Sequence, residues 1–472
     1  MKLPISFIES TRALMGDEEY QELSVALEQE PPASVRLNSK FPGLAACSSI
    51  SGRIPWAAEG YYLNQRLTFT FDPLFHAGCY YVQEASSMFV EQVLRRYVTT
   101  PVKMLDLCAA PGGKSTHARS VLPEGSLLVA NEVIRNRSQI LAENLTKWGY
   151  ADVVVTNNDP SDFSRIGSFF DVILTDVPCS GEGMFRKDPG AIEEWSPENV
   201  EICWQRQRRI ITDIWPCLKP GGILIYSTCT YNTREDEEKM TWIRQEFGAE
   251  PVPLAVPTEW NITGSLLAGA DAPVYRFLPH KTQGEGFFLA ALRKPEEDRE
   301  ADTDLFSPKK KKSKGDTAAS PVSKENLAIA KSWLASSDEY NLLVNGTAIT
   351  AFPVYYQNDL ALLRQSLRIV QAGTEVAEVK GKDLIPAHGL AMSRLLKTSV
   401  FPTEALTYEQ AIAYLRKEAI VLPPSVPKGY VLVTYKEIPL GFVKNIGNRA
   451  NNLYPQEWRI RSGYLPDDIR TL

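Results

Sequence analysis

The chain has 472 residues, of which 44% are hydrophobic and 23% charged, and its seven cysteines are scattered along its length. This balance excludes a wholly disordered chain, and no apolar run approaches the roughly 18 residues of a membrane-spanning helix. The odd, scattered cysteines argue against a disulfide framework, and the N-terminus lacks the features of a secretory signal. We therefore expect free thiols in a reducing cytoplasm.

The formal net charge of −6 is unevenly distributed, because residues 1–294 carry −8 and residues 326–472 carry +3. A polyanionic partner would therefore have to be bound by local basic patches. In residues 1–95, the segment MGDEEYQELSVALEQEP (15–31) predicts a helix, and residues 31–75 predict short strands and turns.

Between residues 96 and 294, short apolar runs alternate with helical stretches. The apolar runs predict strands at 102–107, 126–131, 152–156, 171–176 and 221–228. The stretches between them predict helices at 114–122, 133–149 and 196–218. This alternation predicts a parallel α/β sheet whose ligands bind beyond the carboxyl ends of the strands.

A glycine-containing loop, DLCAAPGGK (106–114), follows the first predicted strand and opens a helix. Consecutive glycines let the backbone approach a ligand closely, and a helix N-terminus offers free N–H donors. The loop is not a phosphate loop, because Cys108 stands where that motif requires its first glycine. A strand ending in aspartate before a tight turn instead favours an adenosyl cofactor.

Two further carboxylates stand where such a cofactor would need them. Glu132 ends the second strand, where acidic residues bind ribose hydroxyls in dinucleotide folds. Asp159 follows the third strand, and we predict that it contacts the adenine edge. Strand ends expose carboxylates in any case, so both predictions depend on the neighbouring loop.

Cysteines follow the fourth and fifth predicted strands, in Asp176-Val-Pro-Cys179 and Ser227-Thr-Cys229. Neighbouring parallel strands would place both thiols at one edge, beside the loop. Cysteine is more often a small buried apolar residue, but these two stand in polar turns. A zinc pair is an alternative, yet no second Cys or His pair at ligand spacing accompanies them, so we expect no metal.

A thiolate at this edge would suit methylation at C5 of a pyrimidine. Addition of the thiolate at C6 makes C5 nucleophilic, and after methyl transfer a base removes the C5 proton while the thiol leaves. Asp176 could hydrogen-bond N3 and N4 of a cytosine as the adduct forms.

The clearest boundary is an acidic block followed by a lysine run, which predicts a flexible charged linker at 295–322. The run Lys309–Lys312 is either a solvated part of this linker, which we favour, or a patch that follows a phosphate backbone. Residues 323–472 begin with a predicted helix at 324–334 and continue with short apolar runs, which predict a small mixed or β-rich region.

The segments DLCAAPGGK, DVPCSGEGMFRKDP, YSTCTYNTREDE and GEGFFLA together resemble the NOL1/NOP2/Sun family of RNA cytosine-C5 methyltransferases. The resemblance extends upstream to SVRLN (34–38) and YYVQEASSM (80–88). The segment LGFVKNIGNRANNLYPQEWRIR (440–461) is similar to the PUA-like tail of the bacterial RsmF/YebU subgroup, which methylates small-subunit ribosomal RNA.

The resemblance implies an α/β, class I (Rossmann-like) methyltransferase sheet at 96–294. It also implies an N-terminal RNA-binding extension at 1–95 and a C-terminal PUA-like α+β domain at 323–472. The family nucleophile matches Cys229, and the cysteine that assists release of methylated RNA matches Cys179. The family contacts to S-adenosylmethionine match a set of positions in this chain, namely Cys108, Ala109, Ala110, Pro111, Gly112, Gly113, Lys114, Glu132, Asp159 and Asp176.

Arg137 resembles a neighbouring arginine of the family, while Asn131-Glu132 departs mildly from its Asp-rich strand end. Arg186 and Lys187 are either phosphate contacts or plain surface residues. The implied function is cytosine-C5 methylation of 16S rRNA, free or in the small ribosomal subunit, by a cytoplasmic monomer without a membrane partner. The alternatives are a tRNA cytosine-C5 methyltransferase and a non-catalytic RNA-binding ribosome-assembly factor.

Overall fold

The computed structural model describes residues 2–270, 272–296 and 322–472. The Lys309–Lys312 run and all but the ends of the expected linker lie outside these residues. Within the described ranges, no helix combines the length and the apolar character needed to cross a membrane.

The N-terminal region consists of short helices and a four-stranded sheet. Its elements are α1 (Ile5–Met15), α2 (Asp17–Leu27), β1 (Ser34–Leu37), β2 (Ile50–Arg53), β3 (Gly60–Leu63), α3 (Pro73–His76), β4 (Tyr80–Val82) and α4 (Val90–Tyr97). The strand order is β2-β3-β1-β4, and each neighbouring pair is antiparallel. The predicted helix at 15–31 corresponds to α2, whereas α1 was not predicted.

The middle region alternates strands and helices as the sequence predicts. Its elements are β5 (Lys103–Asp106), α5 (Gly113–Val121), β6 (Leu127–Asn131), α6 (Arg135–Trp148), β7 (Val153–Thr156), α7 (Pro160–Phe163), β8 (Phe170–Asp176), α8 (Pro189–Glu194), α9 (Pro197–Ile214), β9 (Leu218–Thr228), α10 (Glu237–Phe247), β10 (Glu250–Pro251), β11 (Tyr275–Phe277) and β12 (Phe287–Arg293). All five predicted strands are confirmed, within a few residues at their ends.

The C-terminal region has two four-stranded sheets. Its elements are α11 (Lys324–Ser332), β13 (Tyr340–Asn345), β14 (Ala348–Pro353), α12 (Gln357–Ser366), β15 (Ile369–Ala372), β16 (Thr374–Lys380), β17 (Asp383–Pro386), α13 (His388–Met392), β18 (Thr403–Ala405), α14 (Tyr408–Leu415), β19 (Gly429–Tyr435), β20 (Ile438–Asn445) and β21 (Ala450–Asn452). The two sheets have the orders β13-β14-β16-β17 and β18-β19-β20-β21.

The central sheet has the order β10-β12-β9-β8-β5-β6-β7-β15, with β11 paired to β12. Strands β5 to β9 are parallel, whereas β12 runs antiparallel to β9. The chain leaves β5 toward β6 on one side and returns to β8 on the other, so the strand order reverses between β5 and β8. Ligands of open parallel sheets bind at the carboxyl ends beside such a reversal.

The C-terminal region also extends the central sheet, because β15 pairs antiparallel with β7. Its last sheet packs against the N-terminal region in one hydrophobic cluster that includes Val35, Tyr80, Tyr414 and Val433. Burial of apolar side chains from both regions stabilises the contact between the N-terminal and C-terminal parts of the chain.

Candidate active site

The carboxyl ends of β5, β6, β8 and β9 carry most of the residues expected to act in chemistry. Asp106 ends β5, and Asp176 ends β8 in register with Ser227 of β9. The two cysteine-bearing turns therefore leave the sheet side by side, and the glycine-containing loop leaves β5 next to them. The structure thus brings both cysteines, Asp176 and Lys114 to one edge.

The loop between β5 and α5 is shaped by its two glycines. Gly112 has a φ of +113°, a left-handed conformation that glycine adopts without strain. A Cβ at Gly112 would lie 3.3 Å from the Leu141 side chain, and one at Gly113 would lie 3.3 Å from the Tyr81 ring. The loop therefore fits tightly between α6 and the N-terminal β4 strand.

Asp106 lies fully buried beneath this loop. Its Oδ2 accepts a 2.6 Å hydrogen bond from Ser115 Oγ, while its Oδ1 has no hydrogen-bond partner among the residues that the structure describes. Burial raises the pKa of Asp106 to about 7, although the Ser115 hydrogen bond opposes the shift. A buried carboxylate oxygen without a partner is costly, so this atom is suited to a donor group of a ligand.

Lys114 forms an ion pair across the site rather than pointing into solvent at the start of the helix. Its Nζ lies 2.8 Å from Asp176 Oδ2, while Asp176 Oδ1 accepts a 2.7 Å hydrogen bond from Ser227 Oγ. Burial by itself would lower the pKa of the Lys114 ammonium, but the Asp176 carboxylate outweighs burial and raises it. The pair places a positive charge next to a carboxylate that is still about one-third exposed.

Glu132 and Arg137 are connected to the loop. Glu132 is buried, its Oε1 accepts a 2.9 Å hydrogen bond from the Ile134 N–H, and its Oε2 lies 3.5 Å from Arg137 Nη1. Arg137 Nη2 donates a 2.9 Å hydrogen bond to the Ala110 carbonyl. Arg137 thus joins the expected ribose-binding carboxylate to the loop.

Asp159 has a local structural role. Its Oδ1 accepts a 3.1 Å hydrogen bond from the Ser161 N–H and so caps α7, and its Oδ2 pairs with Arg209 at 3.2 Å. The predicted contact with an adenine edge stays a prediction. Asn131, which the sequence suggested only as a mild departure, donates to the carbonyls of Leu107 and Asn158 and so ties the ends of β5 and β7 to β6.

The two cysteines are in direct contact. Cys179 Sγ lies 3.2 Å from Cys229 Sγ, and the Cys229 N–H donates to Cys179 Sγ at 3.4 Å. The hydrogen bond with Cys229, followed by burial, raises the pKa of the Cys179 thiol well above its ordinary value. One thiol of the pair is therefore kept protonated beside the other.

The third cysteine at this edge differs from these two. Burial and the Asp106 and Asp176 carboxylates raise the pKa of Cys108 far above its ordinary value. Cys108 therefore lines the loop as a neutral thiol and is unsuited to act as a nucleophile.

Both alternatives for Arg186, a phosphate contact and a plain surface residue, are wrong, because each requires an exposed side chain. Its side chain is 5% exposed and pairs with Glu285 at 3.0 Å. It also donates to the carbonyls of Gly284 and Ala26. The arginine thus joins the turn after β8 to neighbouring segments through all three of its nitrogen atoms. Lys187 Nζ lies 3.4 Å from Glu285 Oε1, and its phosphate contact stays a prediction.

A cavity of about 140 Å³ separates the loop from the N-terminal region. It is lined by Tyr81 and Gln83 on one side and by Cys108, Lys114 and Asp176 on the other. A larger cavity of about 890 Å³ lies among the C-terminal strands near His388, and its lining includes neither Lys114 nor Asp176. Of these two cavities, the smaller one therefore borders the sheet edge that carries Cys108, Lys114 and Asp176.

Sequence comparisons identify the chain's relatives. Residues 99–293 match the family model of 16S rRNA methyltransferase RsmB/F, residues 3–85 the N-terminal domain of 16S rRNA methyltransferase RsmF, and residues 401–460 the methyltransferase RsmF PUA domain. The chain is 31% identical to ribosomal RNA small subunit methyltransferase F of Shigella boydii serotype 4, over 87% of this chain and 85% of that protein. The protein of the same name from Escherichia fergusonii is 32% identical, with the same coverage of each chain.

Solved structures share the fold. A methyltransferase homolog protein from Pyrococcus horikoshii superimposes with a TM-score of 0.53 at 28% identity, over 61% of this chain and 94% of that one. NSun6 from Pyrococcus horikoshii gives a TM-score of 0.52 at 22% identity, over 62% and 98%. The expected Rossmann-like methyltransferase sheet and C-terminal PUA domain are confirmed.

Proposed function

Because this chain belongs to the ribosomal RNA small subunit methyltransferase F family, we propose that it methylates C5 of a cytosine in 16S rRNA. The observation that supports this most is the pair of sulfur atoms 3.2 Å apart at the ends of β8 and β9. The Lys114–Asp176 ion pair joins the glycine-containing loop to the turn that carries Cys179. S-adenosylmethionine would supply the methyl group as an electrophile.

The residues at the edge fit an adenosyl cofactor that carries an ammonium group. The unpaired Asp106 Oδ1 is a suitable acceptor for that ammonium, and the buried Glu132 is suited to ribose hydroxyls. The start of α5 after Gly112 would offer its backbone N–H groups to the cofactor carboxylate. Asp159 would contact the adenine edge, and Arg137 would hold Glu132 and the loop in place.

Cys229 would act as the nucleophile toward the pyrimidine ring. Its thiolate adds to C6, and the C5–C6 electron pair moves into the ring toward N3, which makes C5 nucleophilic. A proton shared between Asp176 and Lys114, whose Nζ lies 2.8 Å from Asp176 Oδ2, would be donated toward N3 and offset the developing charge. After methylation a base takes the C5 proton, the C5=C6 bond forms again, and the C6–S bond breaks with its electron pair returning to sulfur.

Cys179 would assist that last stage. The hydrogen bond with Cys229 and burial raise the pKa of Cys179, which disfavours its thiolate and makes it poorly suited to attack first. Its position 3.2 Å from the nucleophilic sulfur suits it to exchange a proton as the adduct resolves. This division predicts that loss of Cys179 leaves enzyme joined to RNA.

The target base must leave its helix for this chemistry, because stacking hides C6 from a thiol. The cavity beside Lys114 and Asp176 is bordered by Tyr81 of β4, so the N-terminal region stands next to the place where the base would enter. We assign RNA selection to the regions 1–95 and 323–472, the latter including the RsmF PUA match and the net charge of +3 over residues 326–472. Cysteine-bearing turns and RNA-selecting surfaces would thus lie on separate parts of the chain.

The proposal is tested by incubating the protein with radiolabelled S-adenosylmethionine and, separately, protein-free 16S rRNA, small ribosomal subunits and tRNA. Mapping of 5-methylcytosine in 16S rRNA, in either form, is the expected result. Methyl transfer to tRNA alone would replace the ribosomal substrate by the alternative one. Cofactor binding by calorimetry without transfer to any of the three would favour a non-catalytic assembly factor.

A further inference from the structure

Two turns hold the paired cysteines. We call residues 177–184, which follow β8, the first thiol turn, and residues 229–235, which follow β9, the second thiol turn. A carboxylate from each turn reaches into the other, and neither carboxylate touches a sulfur atom directly. The catalytic role inferred for these carboxylates rests on the proposed function of Cys229 as the nucleophile.

Glu182 of the first thiol turn is 2% exposed and fully engaged. Its Oε2 accepts hydrogen bonds from Thr230 Oγ1 at 2.5 Å, the Tyr231 N–H at 2.6 Å and the Asn232 N–H at 2.9 Å. These donors are the three residues that directly follow Cys229. Its Oε1 accepts hydrogen bonds from the Trp195 indole at 2.9 Å and from Asn232 Nδ2 at 3.0 Å, which fix the other face of the carboxylate.

Glu235 of the second thiol turn makes the reciprocal contact. It is fully buried, and its Oε2 accepts from the Ser180 N–H at 3.1 Å, directly after Cys179. Gln207 of α9 donates to the same oxygen at 2.7 Å. Each thiol turn is therefore held by a carboxylate that belongs to the other turn.

The backbones of the turns are also in close contact. The Gly183 N–H donates to the Cys229 carbonyl at 2.8 Å. A Cβ at Gly183 would lie 2.9 Å from that carbonyl oxygen and 2.6 Å from the Gly286 oxygen, so no side chain fits there. The position of Cys229 is thus fixed from the first thiol turn through both backbone and side chain.

We propose that Glu182 and Glu235 are positioning residues that set the separation and orientation of the Cys179 and Cys229 sulfur atoms. Burial of two carboxylates is costly, and each is compensated by several N–H or O–H donors drawn from the thiol turns and the helices behind them. An error of about 1 Å in a reacting atom can cost roughly 100-fold in rate, so fixing the two turns against each other has a direct catalytic value.

The test measures the separation of the sulfur atoms without using RNA. Diamide takes up two electrons and two protons as the two thiols join in a disulfide, and mass spectrometry follows the Cys179–Cys229 peptide pair in the full chain. We expect rapid formation in the wild type and a rate at least roughly tenfold lower in Glu182→Gln. Methyl transfer to the RNA substrate should fall about 100-fold in the same variant while the melting temperature stays close to that of the wild type.

The glutamine variant is informative because its amide cannot accept on both faces. If its oxygen faces the backbone N–H groups of Tyr231 and Asn232, its NH₂ group faces two donors, the Trp195 indole N–H and Asn232 Nδ2. Trp195→Phe removes one of these two donor–donor conflicts and leaves the one with Asn232 Nδ2, so the double variant Glu182→Gln, Trp195→Phe should recover part of the disulfide rate. Absence of recovery in a folded double variant would contradict this hydrogen-bond argument.

Two further variants keep the test decisive. Glu246→Gln, which changes an exposed carboxylate of α10, is the control and should leave both rates unchanged. If Glu182→Gln does not fold, Thr230→Val removes a single donor to Glu182 Oε2 and should give a smaller fall in the disulfide rate. A wild-type disulfide rate in folded Glu182→Gln would overturn the proposal.

Failure of the proposal is separable from failure of the proposed function. A disulfide rate that falls in Glu182→Gln, in a protein that methylates none of the RNAs, would support the positioning role and contradict the function. A disulfide rate that stays unchanged while methyl transfer falls would contradict the positioning role and leave the proposed function supported.

Discussion

Two halves of the same sheet edge are built in opposite ways. On the cofactor side, at the end of β5, a buried Asp106 oxygen has no partner among the described residues, and the loop consists largely of small residues. On the thiol side, at the ends of β8 and β9, Glu182 and Glu235 are saturated with hydrogen bonds. The first half thus has a buried acceptor that is open to a ligand, whereas the two carboxylates of the second half already have their donors.

This difference has an energetic meaning. An unsatisfied buried carboxylate costs stability until a donor reaches it, so the cofactor side gains from ligand binding. A saturated hydrogen-bond network instead lowers the cost of orienting the reacting atoms. We therefore expect changes on the thiol side to affect rates and changes on the cofactor side to affect ligand affinity and the free energy of unfolding.

The largest effect is expected from Cys229→Ala, which removes the proposed nucleophile from the thiol side. Methyl transfer should fall by about 10⁴-fold or more, while calorimetric affinity for S-adenosylmethionine stays near that of the wild type. The control is Cys47→Ala, a cysteine of the N-terminal region outside the site. Substantial methyl transfer by Cys229→Ala would contradict the assignment of Cys229 as the nucleophile on the thiol side.

The next effect concerns Asp106, whose pKa rises from 3.8 to about 7 on folding because of burial. The folded state then holds a proton that the unfolded state releases. The resulting contribution to stability is present below about pH 4 and is lost as the pH rises through about 7. Over that range the free energy of unfolding of the wild type should fall relative to that of Asp106→Asn, by at most about 4 kcal/mol.

Chemical denaturation of both proteins between pH 4 and 8 measures this difference. Asp467→Asn, an exposed carboxylate near the C-terminus, serves as the control. Parallel pH profiles for wild type and Asp106→Asn would show that the buried carboxylate is not held protonated.

A smaller effect is expected from Glu132→Gln on the cofactor side. Loss of a charged acceptor for ribose hydroxyls should weaken S-adenosylmethionine binding about tenfold in calorimetry. The rate of disulfide formation between Cys179 and Cys229 should not change, because Glu132 lies on the other half of the edge. An altered disulfide rate with unchanged affinity would reverse the assignment of the two halves.

The central sheet could be predicted from the sequence because parallel strands buried on both faces form continuous apolar runs. The runs at 102–107 and 126–131 correspond to β5 and β6 for this reason. Strand β15 could not be predicted as part of this sheet, since Ile369–Ala372 finds its partner β7 more than 200 residues earlier. The local sequence carries no sign of that pairing.

The candidate site shows the same limit. Neighbouring parallel strands indicated that Cys179 and Cys229 would meet, and their sulfur atoms are in contact. Glu182 lies within a motif that the sequence analysis identified. The local sequence gives no sign, however, that its carboxylate accepts hydrogen bonds from a turn 48 to 50 residues later. Arg186 was wrongly predicted to be exposed, because charged residues near turns usually are. Here its side chain is buried in an ion pair with Glu285.

The most direct test of the covalent mechanism is denaturing electrophoresis of the wild type, Cys179→Ala and Cys229→Ala after incubation with small-subunit ribosomal RNA and S-adenosylmethionine. A slow-migrating protein–RNA band should accumulate in Cys179→Ala, because the adduct forms but resolves poorly, and it should be absent from Cys229→Ala. A band in Cys229→Ala, or normal turnover by Cys179→Ala without a band, would contradict the roles assigned to the two thiols.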